Sequence, residues 1–575
     1  MSNSIFQNVM SEKIRYNNFP LGREVLLSGQ IGKLIPVQCD EVVPGDIWKQ
    51  NAAFLCRFSP LSAPAMARFN VHFHTFYVPY RIITPENSRE STYEKFIKSI
   101  GKHKDEVPVL PYLYGDPTFF FGIGSLADYL GYPTTQRVYT IPEEDRITVM
   151  PFLTYQRIYQ DFYRRDQLER EIVYPTSLSC VDLTNSTFDG EFDDLEANQD
   201  MATVDDIFEL RTRNYERDYF TSALPEPQFG DEVAIGDGNI NWMTMPESLD
   251  IGVDFDGIIQ QYAQGSQSQT GAFLHTVNPS ATPSQIVPYH LSSALGAGDV
   301  WNIQGTSPFT NEMGEAIASH LQGNAITINE FRLAMQLQGI KEKINRVGTR
   351  YLEIMQGIYG VKVPDARLQR PIYLGGFKNP VTIGSVMQTS QTTETSAQGT
   401  LTGQMSASGT NTLCSGGYQF KEHGYIMTIM SITPRTSYYG GMPRKYMKRY
   451  PEEFYLPDFD HLGEQAVYTG ELYYDGNNTK REFGYQLRYA ELKSSLSTVH
   501  GEFRTTLDNW HVSRDFDEAP SLNPSFIKAD PEDFDRIFAF QNVEGTSNEH
   551  FQMQIYIDSV VKRNMSKYST PHTLY

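Results

Sequence analysis

The chain has 575 residues, 13% aromatic and 40% hydrophobic, with 43 glycines and 32 prolines. This composition suits an all-β protein with many turns and a large core, either in several domains or in one domain inflated by loops. A formal charge of −21 argues against a surface that binds nucleic acid everywhere but leaves room for a local basic patch, and Cys39, Cys56, Cys180 and Cys414 form no CxxC pair, which argues against a disulfide framework or a zinc site.

The opening MSNSIFQNVMSEKIRYNNF lacks the apolar stretch of a signal peptide, and no apolar run is long enough to cross a membrane. A soluble protein that stays in a reducing compartment is expected. The first third then reads as strands. GQIGKLIPVQC (29–39) and AAFLCRF (52–58) flank DEVVPGD (40–46), where Pro-Gly-Asp signals a turn. ARFNVHFHTFY (67–77) alternates at the strand period, with Phe69, Val71, Phe73 and Tyr77 on one face and Arg68, Asn70, His72 and His74 on the other.

The period changes in VMPFLTYQRIYQDFYRRDQLE (149–169). Phe152, Tyr155, Tyr159 and Phe162 recur at i, i+3, i+7 and i+10, a helical stripe expected to pack in the core. No Lys or Arg occurs from Glu171 to Leu210, and FDGEFDDLE (188–196) reads as a solvated acidic loop without the DxDxDG spacing of a calcium loop. Residues 230–322 are rich in Gly, Ser, Gln and Asn and aperiodic, as an exposed insertion would be.

TINE (327–330) is a capping box that opens the helix FRLAMQLQGIKEKINR, and a second short helix is expected over TRYLEIMQGIYG. The Ser/Thr/Gln/Gly tract 388–410 reads as an extended loop. Strands return at YIMTIMSI (425–432), apolar on both faces and therefore central, and at AVYTGELYY (466–474). In FGYQLRYAELKSS (483–495), Phe483, Tyr485, Leu487 and Tyr489 line one side at period two, and GEFRTTLDNWH (501–511) reads as a further strand and turn. Strands thus concentrate in 29–79 and 420–510, with a loop and helix insertion at 80–229 and helices plus the polar loop at 323–415. Strands near both ends with long excursions between them suit a Greek-key or jelly-roll barrel.

The chemistry on offer is thin. His72 and His74 form an HxH pair like the one that opens a cupin metal site, but such a site needs a nearby Glu and a third His. Glu86 lies far past the strand, so two half-exposed histidines at an interface are expected instead. GIGSLADYLG (122–131) lacks the preceding strand and the GK[ST] of a phosphate loop, and GxSxG and HExxH are absent. No catalytic, cofactor-binding or metal residue is assigned, and the residues read as a large, loop-rich, non-enzymatic β protein. The alternative is a cupin-like jelly-roll metalloenzyme or a carbohydrate-binding β protein, supported only by the histidine pair and the abundant tyrosines.

The motifs CDEVVPGD, SLADYLGYP, PFLTYQRIYQDFYRRDQLE, RDYFTSALPEPQFGD, INEFRLAMQLQ, GTRYLEIMQGIYGV, PDARLQRPIYLGG, FKEHGYIM, FGYQLRYAELK, VHGEFR, DNWH and DRIFAF occur in this order. Together they resemble the major capsid proteins of the microviruses, especially the gokushovirus branch of single-stranded DNA bacteriophages. SEKIRYNNFPLGRE departs from the usual basic leader, and Glu226 stands where an aromatic is often found. The resemblance implies a structural subunit on an eight-stranded antiparallel jelly-roll barrel with long loop and helical insertions. One copy per asymmetric unit would build the smallest icosahedral shell around a circular single-stranded DNA genome. The segment 230–322 would form surface protrusions at three-fold axes for attachment to a bacterial host receptor. A small basic DNA-packaging protein and a pilot or spike-type minor protein are the other expected partners, in a virion assembled in the host cytoplasm.

Net charge sharpens that expectation. Subunits at −21 enclosing a polyanion need a lopsided charge distribution or a basic go-between. The acids of 182–209 should face outward or sit in interfaces, and Lys562, Arg563 and Lys567 are the candidates for a genome-facing wall.

Overall fold

Two antiparallel sheets enclose the main apolar core. Their strands are β1 (Asn17–Pro20), β2 (Arg23–Gly29), β3 (Ile35–Val42), β4 (Ile47–Phe58), β5 (Phe69–Pro79), β6 (Ile372–Pro380), β7 (Thr382–Met387), β8 (Leu401–Gln419), β9 (Gly424–Pro434) and, after an intervening small sheet, a C-terminal strand Phe551–Arg563. One sheet runs β1, C-terminal strand, β4, β8, β7, with β2 also pairing with the C-terminal strand, and the other runs β6, β5, β9, β3. The computed structural model describes residues 16–85, 90–100, 103, 106–134, 139–192, 199–228, 230, 328–347, 364, 369–387, 389, 398–476, 480–540 and 548–567.

Alternation explains the first sheet. In the C-terminal strand Phe551, Met553, Ile555, Ile557 and Val561 are buried while Gln552, Gln554, Tyr556, Asp558 and Lys562 are exposed. In β4 the buried set is Trp48, Gln50, Ala52, Phe54, Cys56 and Phe58, and Phe54 sits opposite Ile555 in the antiparallel register. Sequence ends separated by roughly the whole chain therefore pair along most of their length. One close approach needs glycine: at Gly32, φ is 91° and an added Cβ would lie 2.0 Å from the Ala529 carbonyl oxygen.

The second sheet is a middle layer. Phe69, Val71 and Phe73 of β5 join the core between the sheets, whereas Phe76 and Val78 join a second cluster with Phe152, Tyr155 and Tyr159. Those three belong to α1 (Met150–Ile158) and the π-turn Tyr159–Tyr163 that continues it. The aromatic stripe is thus core, as its spacing predicts. Strand β9 is buried at every position, matching the expectation of a central strand apolar on both faces.

Four readings change. The tract expected as a loop over 388–410 is a strand from Leu401 onward, paired with β4 and β7. Its small residues let neighbours press close: an added Cβ at Gly403 would meet the Ala63 carbonyl at 2.7 Å. Residues 501–511 form two 3-10 turns, Gly501–Arg504 and Asp508–Trp510, instead of a strand. The strand expected over 466–474 stops at Tyr468, where a 3-10 turn Thr469–Glu471 takes over. The strand in FGYQLRYAELKSS also stops early. We label the small sheet's strands β10 (Glu464–Tyr468) and β11 (Glu482–Leu487), and the C-terminal strand β12. Phe483 and Tyr489 are buried, but Leu487 is exposed and Tyr489 has already left the strand at φ 58°, so no continuous aromatic underside forms.

The chain separates into two compact units, 1–229 with 342–575, and 230–341. Of the second unit the described part is mainly the first portion of α2 (Ile328–Val347), on which Phe331, Leu333, Met335 and Leu337 are exposed. The expected insertion 230–322, apart from Gly230, and the expected helix over TRYLEIMQGIYG lie outside the described residues. All four cysteines are free thiols, with Cys56 and Cys414 buried.

Candidate functional site

The three cations proposed from the sequence occupy different settings. Lys562 is exposed at the end of β12, its ammonium 5.6 Å above the Tyr16 ring, and Lys567 is exposed a few residues beyond. Arg563 instead reaches inward to Asp46, whose side chain is fully buried, with Nε and Nη2 donating at 3.0 and 2.7 Å. Asp46 also accepts from the Val43 amide at 3.1 Å and from Trp48 Nε1 at 3.3 Å, which closes the Val43–Asp46 turn foreseen from Pro-Gly-Asp. Arg563 is therefore committed to neutralising a buried carboxylate.

Of the histidine pair, one departs from expectation. His72 is 5% exposed, whereas His74 is half-buried, with Tyr163 of the π-turn packed against its ring. His72 Nε2 lies 3.2 Å from Thr433 Oγ1 and 3.5 Å from Glu216, and His74 Nδ1 lies 2.8 Å from the Tyr163 hydroxyl. The described residues hold no group of three or more metal-ligating side chains around them. Burial, then the positive charge of Arg213, pushes the His72 imidazole down to about 2 and that of His74 to about 4.

These shifts fix a pH dependence. Below about pH 6.5 the unfolded chain binds a proton at each histidine while the folded chain refuses it. Their stabilising effect is complete above that pH and shrinks as pH falls, by about 1.4 kcal/mol per unit per histidine, with His74 ceasing to contribute near its folded value. Urea unfolding between pH 6.5 and 4.5 should therefore flatten in His72→Gln/His74→Gln relative to the parent. Equal slopes would remove the pair from the acid response.

The most conspicuous surface is one that the sequence reading passes over. RKYMKRYPEEFYLPDFDHL (444–462) folds into three 3-10 turns, Arg444–Tyr446, Pro451–Glu453 and Pro457–His461. Tyr446 is 69% exposed and Leu462 60%, and Tyr450, Phe454, Tyr455 and Leu456 are exposed between them, with Leu487 and Leu492 as further exposed apolar side chains. Large rings on short turns carry no periodicity, so neither a strand nor a helix template finds them. Their only signal is aromatic density in a proline-broken segment.

This ridge is held firmly from beneath. Tyr489 donates its hydroxyl to the Phe454 carbonyl at 2.9 Å, meets Tyr455 edge-on at 5.3 Å, and donates its backbone amide to the Gln465 side-chain oxygen at 3.1 Å. These contacts sustain its left-handed backbone, a conformation costing about 1–3 kcal/mol in a bulky residue. Arg444, nearly buried, donates to Glu471 at 3.0 Å and to the Ala466 carbonyl at 2.6 Å, while Lys448 pairs with Glu491 at 3.1 Å and Lys480 with Glu453 at 3.2 Å. Arg444, Lys448 and Glu453 of the ridge are thus paired with residues around it, while Lys445, Arg449, Glu452, Asp458 and His461 stand exposed among the rings. Exposed rings on braced turns, interspersed with exposed charges, are the makings of a protein–protein contact.

Comparison with known proteins matches residues 7–573 to the family described as capsid protein (F protein). The capsid protein VP1 of Chlamydia phage 1 is 29% identical over 98% of this chain and 97% of its own length. That of Bdellovibrio phage phiMH2K is 30% identical over 86% of this chain and 84% of its own, and that of Spiroplasma virus 4 is 28% identical over 94% and 92%.

Proposed function

Since the chain belongs to the capsid protein (F protein) family and is a structural, non-enzymatic major capsid protein of a bacteriophage, whose copies form the shell of the virion, we propose how that shell is built and filled. The two antiparallel sheets are the faces of a viral jelly roll, the closure of which leaves few free strand edges to polymerise. Copies join into an icosahedral shell, one per asymmetric unit, and the exposed ridge 444–462 is buried between neighbours. The exposure of its rings, on turns braced from beneath by ion pairs, is the observation that carries this reading.

The shell encloses circular single-stranded DNA and is assembled in the host bacterial cytoplasm. Residues 230–322 form protrusions that meet a receptor on the host surface, and a pilot or spike-type minor protein completes the particle. A small basic protein carries much of the phosphate neutralisation, since the subunit has 48 basic residues against 69 acidic ones and Arg563 is occupied by Asp46. Lys562 and Lys567 add to the genome-facing wall.

The purified chain alone should therefore fail to condense long single-stranded DNA at physiological salt, as read by light scattering, and condense it when a small basic protein is added. Condensation by the chain alone would contradict this division of labour.

A further inference from the structure

One cleft gathers four cations, three of them arginines without a side-chain partner among the described residues. The beginning of β5, the end of β6 and the residue after β9 meet there, with Arg68, Arg217, Lys378 and Arg435 in its wall and Ser494, Ser495 and Ser497 along its rim. Its volume is about 740 Å³, and a second hollow of about 660 Å³ continues from it, since Arg68, Arg435, Thr436 and Ser497 line both.

The two acids in the cleft are already engaged. Glu216 pairs with Lys378 and accepts from the Asn70 amide at 3.3 Å. Asp218 accepts from the amides of Phe220 and Thr221 at 3.0 and 2.7 Å, and from the hydroxyls of Thr436 and, at 2.7 Å, Tyr438. Arg68, Arg217 and Arg435 are exposed, and among the described residues their guanidinium groups have no ion-pair or hydrogen-bond partner. On a chain with a charge of −21, three free arginines facing one cleft mark a place for an anion. The adjoining hollow differs in character: Phe503, His500 and His511 bring rings to it, and Met66 and Val499 bring apolar surface.

We propose that this groove binds single-stranded DNA, its phosphates at Arg68, Arg217 and Arg435 and a base against the rings beside Phe503. The assignment rests on the capsid reading above and adds to it a discrete nucleotide site. Guanidinium and hydroxyl donors suit phosphodiester oxygens, and ring faces accept any base without sequence preference. A carboxylate-rich segment of a neighbouring copy would satisfy the arginines but would leave the ring-lined hollow empty.

The test uses the purified full-length chain and a fluorescent eight-residue oligothymidylate, followed by anisotropy at low salt. The logarithm of affinity should fall with the logarithm of salt concentration with a slope of about −2, from roughly −0.7 per neutralised phosphate. Arg68→Gln/Arg217→Gln/Arg435→Gln should lose about tenfold or more in affinity and most of that slope, while the triple lysine variant retains much of both. Unchanged binding by the glutamine variant would overturn the proposal, as would equally tight binding of an abasic strand for the base contact. Displacement of the oligonucleotide by a glutamate-rich peptide at equal concentration would transfer the groove to a neighbouring subunit. Photocrosslinking of an iodouridine-substituted strand to the peptide containing Phe503 supports the site without any substitution, and its failure to label that peptide counts against it. Electron micrographs of the same samples separate the two readings, because shells that form without groove binding sink this inference alone.

Discussion

Tyr446→Ser/Phe454→Ser is expected to give a folded subunit that builds no shells. Both side chains are more than half exposed, so their loss should change subunit stability by no more than about 0.5 kcal/mol. At an interface the same rings are anchors. Burying each contributes about 2 kcal/mol, so losing both weakens every subunit contact by about 4 kcal/mol, roughly a thousandfold in association. Shell closure repeats the contact around the particle and multiplies the deficit. Size-exclusion chromatography should show monomers with native circular dichroism where the parent elutes as particles. Shells from the variant at parental yield would remove the ridge from the assembly interface.

Arg563→Ala is the second large effect. It leaves the fully buried Asp46 carboxylate with only the Val43 amide and Trp48 indole as donors, and unpairing a buried charge costs about 3–5 kcal/mol. Replacing the pair together, as Asp46→Leu/Arg563→Met, should recover a large part of that loss because no uncompensated charge remains. Lys562→Ala, one residue away on the solvent face of β12, should stay within about 0.5 kcal/mol of the parent. Urea unfolding of the three variants checks the ranking. Equal, small losses for Arg563→Ala and Lys562→Ala would mean that Arg563 is free to face the genome after all.

These adjacent residues also show where sequence reading reaches and where it ends. The alternation of Phe551, Met553, Ile555 and Ile557 is as plain in the sequence as that of Phe69, Val71 and Phe73. Attention to the charges at its end takes Lys562 and Arg563 for tail cations instead of the last residues of a strand. Which of the two turns inward depends on Asp46, more than five hundred residues away, and no local pattern carries that information. His72 and His74 were legible as neighbours on one strand face, but the groups beside His72, Thr433 and Glu216, come from far along the chain, so its burial was not. Strand β8 hid for a different reason. Its Ser, Thr and Gly residues supply backbone pairing and room for close neighbours in place of apolar bulk, and composition alone reads such a stretch as loop.

The groove arginines lie at positions 68, 217 and 435 and meet only because the start of β5, the end of β9 and the irregular segment around Glu216 do. The ridge rings lie close together in sequence, yet their exposure follows from the pairing of Arg444, Lys448 and Lys480 with acids around them, which keeps the turns rigid. In both places the chemistry was written in the residues, and its location was set by the packing.

Sedimentation velocity of the purified, unmodified chain, with electron microscopy of the same fractions, tests the central claim most directly. Closed shells sedimenting far ahead of any dimer or trimer are the predicted result. A chain that stays monomeric or dimeric at high concentration, with the 444–462 rings still open to solvent, would contradict it.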